Sequence, residues 1–268
     1  MQRKSIANKR ALVTGASSGF GADFARELAR RGSHLIIVAR RTDQLDALAA
    51  EIRQQHRVEV DVIGADLSLP TAAQDLYDRV MTVGWAVDIL VNNAGFGLYG
   101  DAVLIPWSKE QAMLQIDVVT LAGLTKLFLP HMLERRFGYI LNVSSIAAFQ
   151  PTPLYASYAA AKAFVLFYSQ ALHHELRGSG VSVTALAPGV TATDFLRVSG
   201  QQPTAYQRFV MMRSADVVRI GVNAMLAGKA TVVPGFLNVL LTTVSAISPR
   251  AVSIRVAELL MRSNKPQH

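Results

Sequence analysis

The chain of 268 residues is 51% hydrophobic and only 17% charged, so it can bury a large core and is no disordered chain, which would lack the apolar surface to offset its ordering entropy. It contains no cysteine, which excludes disulfides, thiolate metal sites and a cysteine nucleophile. Lysine and arginine (27) outnumber aspartate and glutamate (19) for a formal charge of +8, but the arginines are scattered in doublets such as Arg30-Arg31 and Arg135-Arg136, which reads as solvated surface and not as a nucleic-acid footprint.

The first apolar run, Ala11–Thr14, ends in Thr14-Gly15-Ala16-Ser17-Ser18-Gly19-Phe20-Gly21, which opens directly into the helical-period segment Phe20–Arg31. Gly15 suits a tight turn, and Gly19 and Gly21 remove side chains between backbone and ligand. The free N–H groups at the helix start then face an anion, as in a dinucleotide phosphate loop. No Lys-Ser/Thr pair follows the last glycine, which excludes a Walker-type triphosphate loop. The second run, Leu35–Ala39, leads into Arg40-Arg41, about where sites for ribose hydroxyls carry a carboxylate. A guanidinium suits a 2′-phosphate through charge-assisted bidentate bonds, so NADP(H) is expected over NAD(H). The bland alternatives are a ligand-free glycine turn and a solvated arginine pair.

Strand-like runs recur at Val58–Ile63, Ile89–Val91, Tyr139–Val143, Val181–Leu186 and Thr231–Val233. Between them lie helical-period segments at Thr42–Gln55, Thr71–Val83, Lys109–Arg135, Tyr155–Arg177 and Ala215–Leu226. Short apolar runs bounded by turn residues are strands buried on both faces. With no repeat or linker, the alternation predicts one α/β domain over residues 1–268. Its expected form is a Rossmann-like, doubly wound, seven-stranded parallel sheet flanked by helices on both faces. Ligands bind such sheets beyond the strands' carboxyl ends, so chemistry is expected in the loops after Thr14, Val91, Val143 and Leu186. On the helix 155–177, Tyr158 and Lys162 stand four apart and share a face, where an ammonium favours phenolate. That spacing alone fits a surface tyrosine and a solvated lysine equally well.

Four motifs in order change that estimate, and with them the chain resembles the short-chain dehydrogenase/reductase superfamily, NADP(H)-preferring branch, across nearly its whole length. They are the glycine loop, Asn92-Asn93-Ala94-Gly95 after the fourth strand, Ser145 thirteen residues before Tyr158-Ala159-Ala160-Ala161-Lys162, and Pro188-Gly189-Val190-Thr191-Ala192-Thr193 after the sixth. The resemblance implies Tyr158 as general acid or base, Ser145 on the same substrate oxygen, and Lys162 holding the nicotinamide ribose and lowering the Tyr158 pKa. It also implies cofactor contacts from Gly15, Ser17, Ser18, Gly19, Phe20 and Gly21, from Asn92, Ala94 and Gly95 on the adenosine-ribose and pyrophosphate side, and from Asp66 and Leu67 at the adenine. Pro188, Gly189, Val190, Thr191 and Thr193 would cover the nicotinamide. One departure stands out. The family carries asparagine where this chain has Asp117, at a helix irregularity whose main-chain carbonyl holds a relay water. Asp117 keeps a backbone role but donates no amide hydrogen bond, so an altered relay is expected, and a buried carboxyl there needs a partner or a raised pKa.

The segment Asp194–Arg213 interrupts the strand–helix rhythm and carries Phe195, Leu196, Tyr206, Phe209, Val210, Met211 and Met212. By resemblance it belongs to a flap (about 190–213) over an apolar ketone, aldehyde or alcohol; packing against a partner subunit is the alternative. An apolar C-terminal segment follows (about 230–268). Its uncharged run Ala230–Pro249 is broken by Pro234, Gly235 and Asn238 and makes a poor spanning helix, so a buried strand followed by an apolar wall over Pro234–Ile247 is preferred. With the basic tail Arg3, Lys4, Lys9 and Arg10, it leaves a membrane-surface contact as an open alternative. His173-His174 lack the spacing of a metal pair, and no metal is expected. No segment has the form of a signal peptide, and a cytoplasmic location is expected. The resemblance further implies a homodimer or homotetramer. The leading expectation is an NADP(H)-dependent oxidoreductase for an apolar carbonyl. Its rivals are a silent NADPH-binding sensor or scaffold and a peripheral membrane enzyme acting on a lipid-derived ketone.

Overall fold

The computed structural model describes residues 5–193 and 195–261; Arg3, Lys4, Asp194, residues 262–268 and the side chains of Ala205 and Tyr206 lie outside the described residues. The strands are β1 (Arg10–Thr14), β2 (His34–Ala39), β3 (Val60–Gly64), β4 (Ile89–Asn92), β5 (Gly138–Val143), β6 (Val181–Leu186), β7 (Thr191–Ala192), β8 (Met212–Arg213) and β9 (Thr231–Val232). Seven form one parallel sheet in the order β3-β2-β1-β4-β5-β6-β9. These coincide with the seven predicted runs to within two residues, and the fold is the Rossmann-like α/β architecture expected.

The helices are α1 (Gly19–Arg30), α2 (Thr42–His56), α3 (Ala72–Thr82), α4 (Trp107–Leu114), α5 (Leu121–Glu134), α6 (Ala156–Glu175), α7 (Phe195–Ser199), α8 (Ala205–Val210), α9 (Ser214–Leu226), α10 (Phe236–Ile247) and α11 (Arg250–Met261). Successive strand residues point to opposite faces, which sorts the core into two layers. Ala11, Val13, Leu35 and Ile37 pack with Phe24 and Leu28 of α1, Leu45 and Ile52 of α2 and Val222 of α9. Leu12, Ile36, Val38 and Leu90 pack with Leu76 of α3 and Leu124, Phe128 and Met132 of α5. Each fully buried valine, leucine, isoleucine, phenylalanine or methionine among these contributes about 1.5–3 kcal/mol. A π-helical turn, Gln115–Thr120, joins α4 to α5. The continuous rod Trp107–Glu134 is long and apolar enough to cross a bilayer by length and composition, and its Leu124, Phe128 and Met132 are buried in the core beneath the sheet.

Two features position the site. β1 lies between β2 and β4, with Val13 in register with both Ile37 and Val91, so the chain reverses its direction of travel there and opens a crevice beyond Thr14 and Asn92. β7 and β8 pair in parallel and close the base of the predicted flap, Thr191 against Met212 and Ala192 against Arg213. The predicted C-terminal wall is two helices, α10 and α11.

Candidate active site

β1 delivers Thr14 to the crevice, where Gly15 (φ +68°) and Gly19 (φ +53°) occupy the left-handed region that side chains disfavour. A Cβ on Gly21 would collide with the Gly15 carbonyl oxygen. Thr14 Oγ1 donates to Val91 O (3.2 Å) and accepts the N–H groups of Asn93 and Ala94 (3.0 Å each). Asn93 Nδ2 donates to Thr14 O (2.8 Å), which stitches the β1 and β4 loops across the switch point. Ser18 stands at the N-cap of α1 without a side-chain cap bond, so the first-turn N–H groups remain for an anion. Arg41 Nη2 donates to the hydroxyls of Ser17 and Ser18 (3.0 Å each) and sets a guanidinium over the loop. Asp66 is held below the usual carboxylate range chiefly by the Ser68 hydroxyl and N–H, with the Arg40 charge adding to them.

Two residues expected at the cofactor point elsewhere. Leu67 is buried in the core, and Asn92 Nδ2 bonds to Thr125 Oγ1 (3.0 Å) and Asn142 Oδ1 (2.9 Å) inside the sheet. Side chains alternate at the end of β4, so within the expected stretch Asn92–Gly95 it is Asn92 that faces inward and Asn93 that faces the glycine loop.

From the glycine loop a cavity of about 400 Å³ runs past Asn93, Ala94 and Gly95 to Ser145, Tyr158 and Lys162, with Pro188–Thr193 along one side. Ser144 Oγ donates to Lys162 O (2.7 Å) and ties β5 to α6. Ser145 caps the 3-10 turn Ile146–Phe149, its Oγ accepting the Ala147 N–H (3.1 Å). One helical turn separates Tyr158 from Lys162, whose Nζ stands 5.6 Å from the Tyr158 ring centroid, donates to Val143 O (3.1 Å) and lies 3.5 Å from Asp117 Oδ2. The Tyr158 phenol is pushed well above its ordinary pKa, first by burial and then by the Asp117 charge, while a hydrogen bond with Ser145 opposes the rise. That direction is opposite to the lowering expected from Lys162. The ammonium is turned toward Asp117 and the Val143 carbonyl, so the phenol meets an anion and a cation together.

Asp117 sits in the π-helical turn, fully buried, with its pKa raised to about 6 because desolvation outweighs the attraction of Lys162. Neither carboxylate oxygen completes a hydrogen bond of good geometry, although the Phe96 N–H is close enough to pull the value down. A Cβ on Gly95 would collide with Asp117 Oδ1, so the glycine provides the space that this carboxyl uses. π-turns of this kind recur at functional sites.

Beyond Tyr158 the cavity becomes apolar. The Phe195 ring lies 5.3 Å from that of Tyr158, and Leu196, Leu241, Val244, Val252 and Val256 extend the wall. Of the apolar flap residues predicted to face substrate, Phe195 and Leu196 do so, whereas Val210 is buried away from the cavity, Met212 packs on the sheet core and Phe209 is 81% exposed. The flap is instead tied down by a polar strap that periodicity did not reveal. Tyr155 Oη lies 3.0 Å from Ser199 Oγ and donates to Gln201 Oε1 (2.9 Å), which also accepts from Gln207 Nε2 (3.0 Å). Gln201 Nε2 donates to Met261 O (2.8 Å). Burial pushes the Tyr155 phenol up to about 12. Among the described residues no group of three or more His, Cys, Asp or Glu is placed to hold a metal ion.

A doubly wound parallel sheet with an anion-cradling glycine loop at one end of a cavity and a Ser–Tyr–Lys cluster further along it defines the class of nucleotide-binding oxidoreductases with a Rossmann-like fold. A family model described as short chain dehydrogenase matches residues 9–204, and the chain belongs to the short-chain dehydrogenase/reductase family. The very-long-chain 3-oxoacyl-CoA reductase of Anas platyrhynchos is 38% identical over 195 residues, which cover 70% of this chain. The chain spans 62% of the length of the curated relatives of that kind. Among solved structures, a short-chain dehydrogenase from Sphingobium yanoikuyae in complex with NADPH is 30% identical, with a TM-score of 0.79 and coverage of 91% of this chain and 97% of that one. A 7beta-hydroxysteroid dehydrogenase is 26% identical, with a TM-score of 0.85 and coverage of 96% and 99%.

Proposed function

We propose that the chain is an NADP(H)-dependent oxidoreductase that interconverts a hydrophobic ketone or aldehyde and its alcohol, with Tyr158 as the proton-transfer group. The observation that carries this reading is the convergence of Ser145, Tyr158 and Lys162 in the cavity that begins at the glycine loop. The residues fit a dinucleotide: left-handed glycines, the uncapped start of α1 and the Arg41 guanidinium over Ser17 and Ser18 form a cradle for phosphate. Gly15, Ser18, Gly19 and Arg41 would hold the phosphates, and Pro188–Thr193 with Lys162 the nicotinamide end. When bound, the nicotinamide supplies or accepts hydride at the substrate carbon.

The remaining work falls to the chain's own residues. Tyr158 gives its phenolic proton to the carbonyl oxygen in reduction and takes it back in oxidation. Ser145 donates a hydrogen bond to the same oxygen and orients it. Lys162 offsets the developing phenolate, and the apolar wall excludes water that would compete for the oxygen.

Support for NADPH is the pair Arg40-Arg41 in place of a carboxylate, together with a 30% identical relative solved with NADPH. Support for an apolar substrate is the wall of Phe195, Leu196, Leu241, Val252 and Val256. Relatives named for a very-long-chain 3-oxoacyl-CoA and for a hydroxysteroid point the same way. Homodimerisation belongs to the same reading, supported by exposed Val119, Phe164 and Phe167 on the rod that carries Asp117 and on α6. The test is NADPH against NADH oxidation with aromatic, aliphatic and long-chain carbonyls, for the natural chain and Tyr158→Phe. NADPH-preferring turnover that disappears in the variant is expected; cofactor binding without turnover of any carbonyl would overturn the reading.

A further inference from the structure

α10 is built inside out. Its twelve residues include no charged side chain, and three of its four polar ones, Asn238, Thr242 and Ser245, are turned toward the protein, while Thr243 is exposed and bonds only to Val239 O of its own helix. Asn238 is buried and donates to Pro234 O (2.7 Å), Thr242 is buried and donates to Asn238 O (3.0 Å), and Ser245 donates to Gln150 Oε1 (2.6 Å). All of its large apolar side chains except Leu241, which lines the cavity, are exposed: Phe236 and Ile247 are each 81% exposed, Leu240 is 50% exposed, and Leu237, Val239 and Val244 flank them. At 3.6 residues per turn, Phe236, Leu240 and Ile247 form a single stripe opposite Asn238 and Ser245. A helix whose outer neighbour is water shows the reverse pattern.

The apolar surface continues through exposed Val252, Val256 and Leu259 of α11. Exposed Phe209 belongs to α8, whose start is fastened to the end of α11 by Thr204 Oγ1 on Leu260 O (3.4 Å). The exposed cations beside these residues are Arg208, Arg250 and Arg255. Val244, Val252 and Val256 are at once exposed and part of the cavity lining, so the cavity meets this surface.

We propose that this face rests on an anionic lipid bilayer, with α10 lying in the interface plane and the cavity opening toward the lipid, so that an apolar substrate enters without crossing water. Twelve residues span only about 18 Å, too short for the roughly 30 Å hydrocarbon core, so the contact is interfacial. The arginines match anionic headgroups. A two-fold contact with a second copy would instead set three arginines of each copy against the other's, with Glu258 as the single acidic side chain on α10 and α11 to offset them.

Because the proposal concerns attachment, its test needs no turnover and stands apart from the catalytic reading. The full chain is sedimented with vesicles of phosphatidylcholine alone and with vesicles also containing phosphatidylglycerol. Binding is expected to the mixed vesicles and more weakly to phosphatidylcholine. F236E/I247E, outside the cavity, should lower vesicle partitioning roughly tenfold or more while leaving the melting temperature unchanged. R208Q/R250Q/R255Q should remove the preference for phosphatidylglycerol. A chain that stays in the supernatant with both vesicles, or a F236E/I247E variant that partitions like the natural chain, overturns the proposal. So does a change of mass by light scattering between F236E/I247E and the natural chain without lipid, which would make the face a contact between copies.

Discussion

The two ends of the cavity are built by different means. The glycine-loop end is made mostly of backbone: positive-φ glycines, the uncapped N–H groups of α1, and Thr14 and Asn93 binding main-chain groups across the switch point. The far end is made of side chains on α7, α10 and α11, elements outside the main sheet, held by the strap from Tyr155 through Gln201 to Met261. A backbone cradle accepts one ligand class and tolerates little change, whereas side-chain walls can be exchanged without disturbing the sheet. On the proposed reading, cofactor binding therefore resides at the first end and substrate choice at the second.

Tyr158→Phe tests the point where the two ends meet. It should lower turnover by roughly 10²- to 10⁴-fold with every carbonyl while the KM for NADPH changes little, as steady-state kinetics would show. R40A/R41A tests the cradle alone: the KM for NADPH should rise about 10- to 100-fold and that for NADH hardly at all. Phe195→Ala tests the wall alone, raising the KM for a bulky ketone by about three- to tenfold and leaving the KM for NADPH unchanged. Equal loss with NADH in the double variant, or a cofactor effect from Phe195→Ala, would break the division.

The smallest effect on catalysis is expected from Asp117→Asn, which lies between the two ends. In the folded chain Asp117 holds its proton up to about pH 6, above the ordinary value of 3.8, so the native state binds more protons in that interval. Its contribution therefore favours folding most below pH 4, falls as pH rises to about 6 and is level above, a loss of about 3 kcal/mol. The asparagine variant lacks this slope, so its melting temperature should gain on the natural chain across that window and hold its lead above it. A constant offset between asparagine and protonated aspartate leaves the slope as the test. Removing the charge also eases phenolate formation at Tyr158, so the acid limb of the alcohol-oxidation profile should move to lower pH by about one unit or less. An unchanged profile would leave Asp117 without a special role.

Much of this was readable one residue at a time. The seven strands, the glycine loop and the Tyr158/Lys162 pair follow from short-range rules of strand patterning, turn chemistry and helical spacing, and the Asp117 departure from the resemblance to the family. The pairing of Lys162 with Asp117 was not readable, because it joins residues 45 positions apart through a packing of α6 on the π-helical turn. Nor was the strap, whose partners stand 46 and 60 positions apart.

The clearest division lies in α10. Its composition, twelve residues without a charge, already marked the stretch as apolar. Periodicity defines a stripe, but which side of a helix meets protein depends on what the rest of the chain brings beside it. Here Gln150 and the Pro234 carbonyl took the polar side. The amino-acid order by itself determined the sheet, the glycine loop and the Tyr158/Lys162 spacing, since those depend on local backbone preference. Tertiary structure alone decided which charges share a buried space and which apolar surface is left facing out, because burial is a property of neighbours.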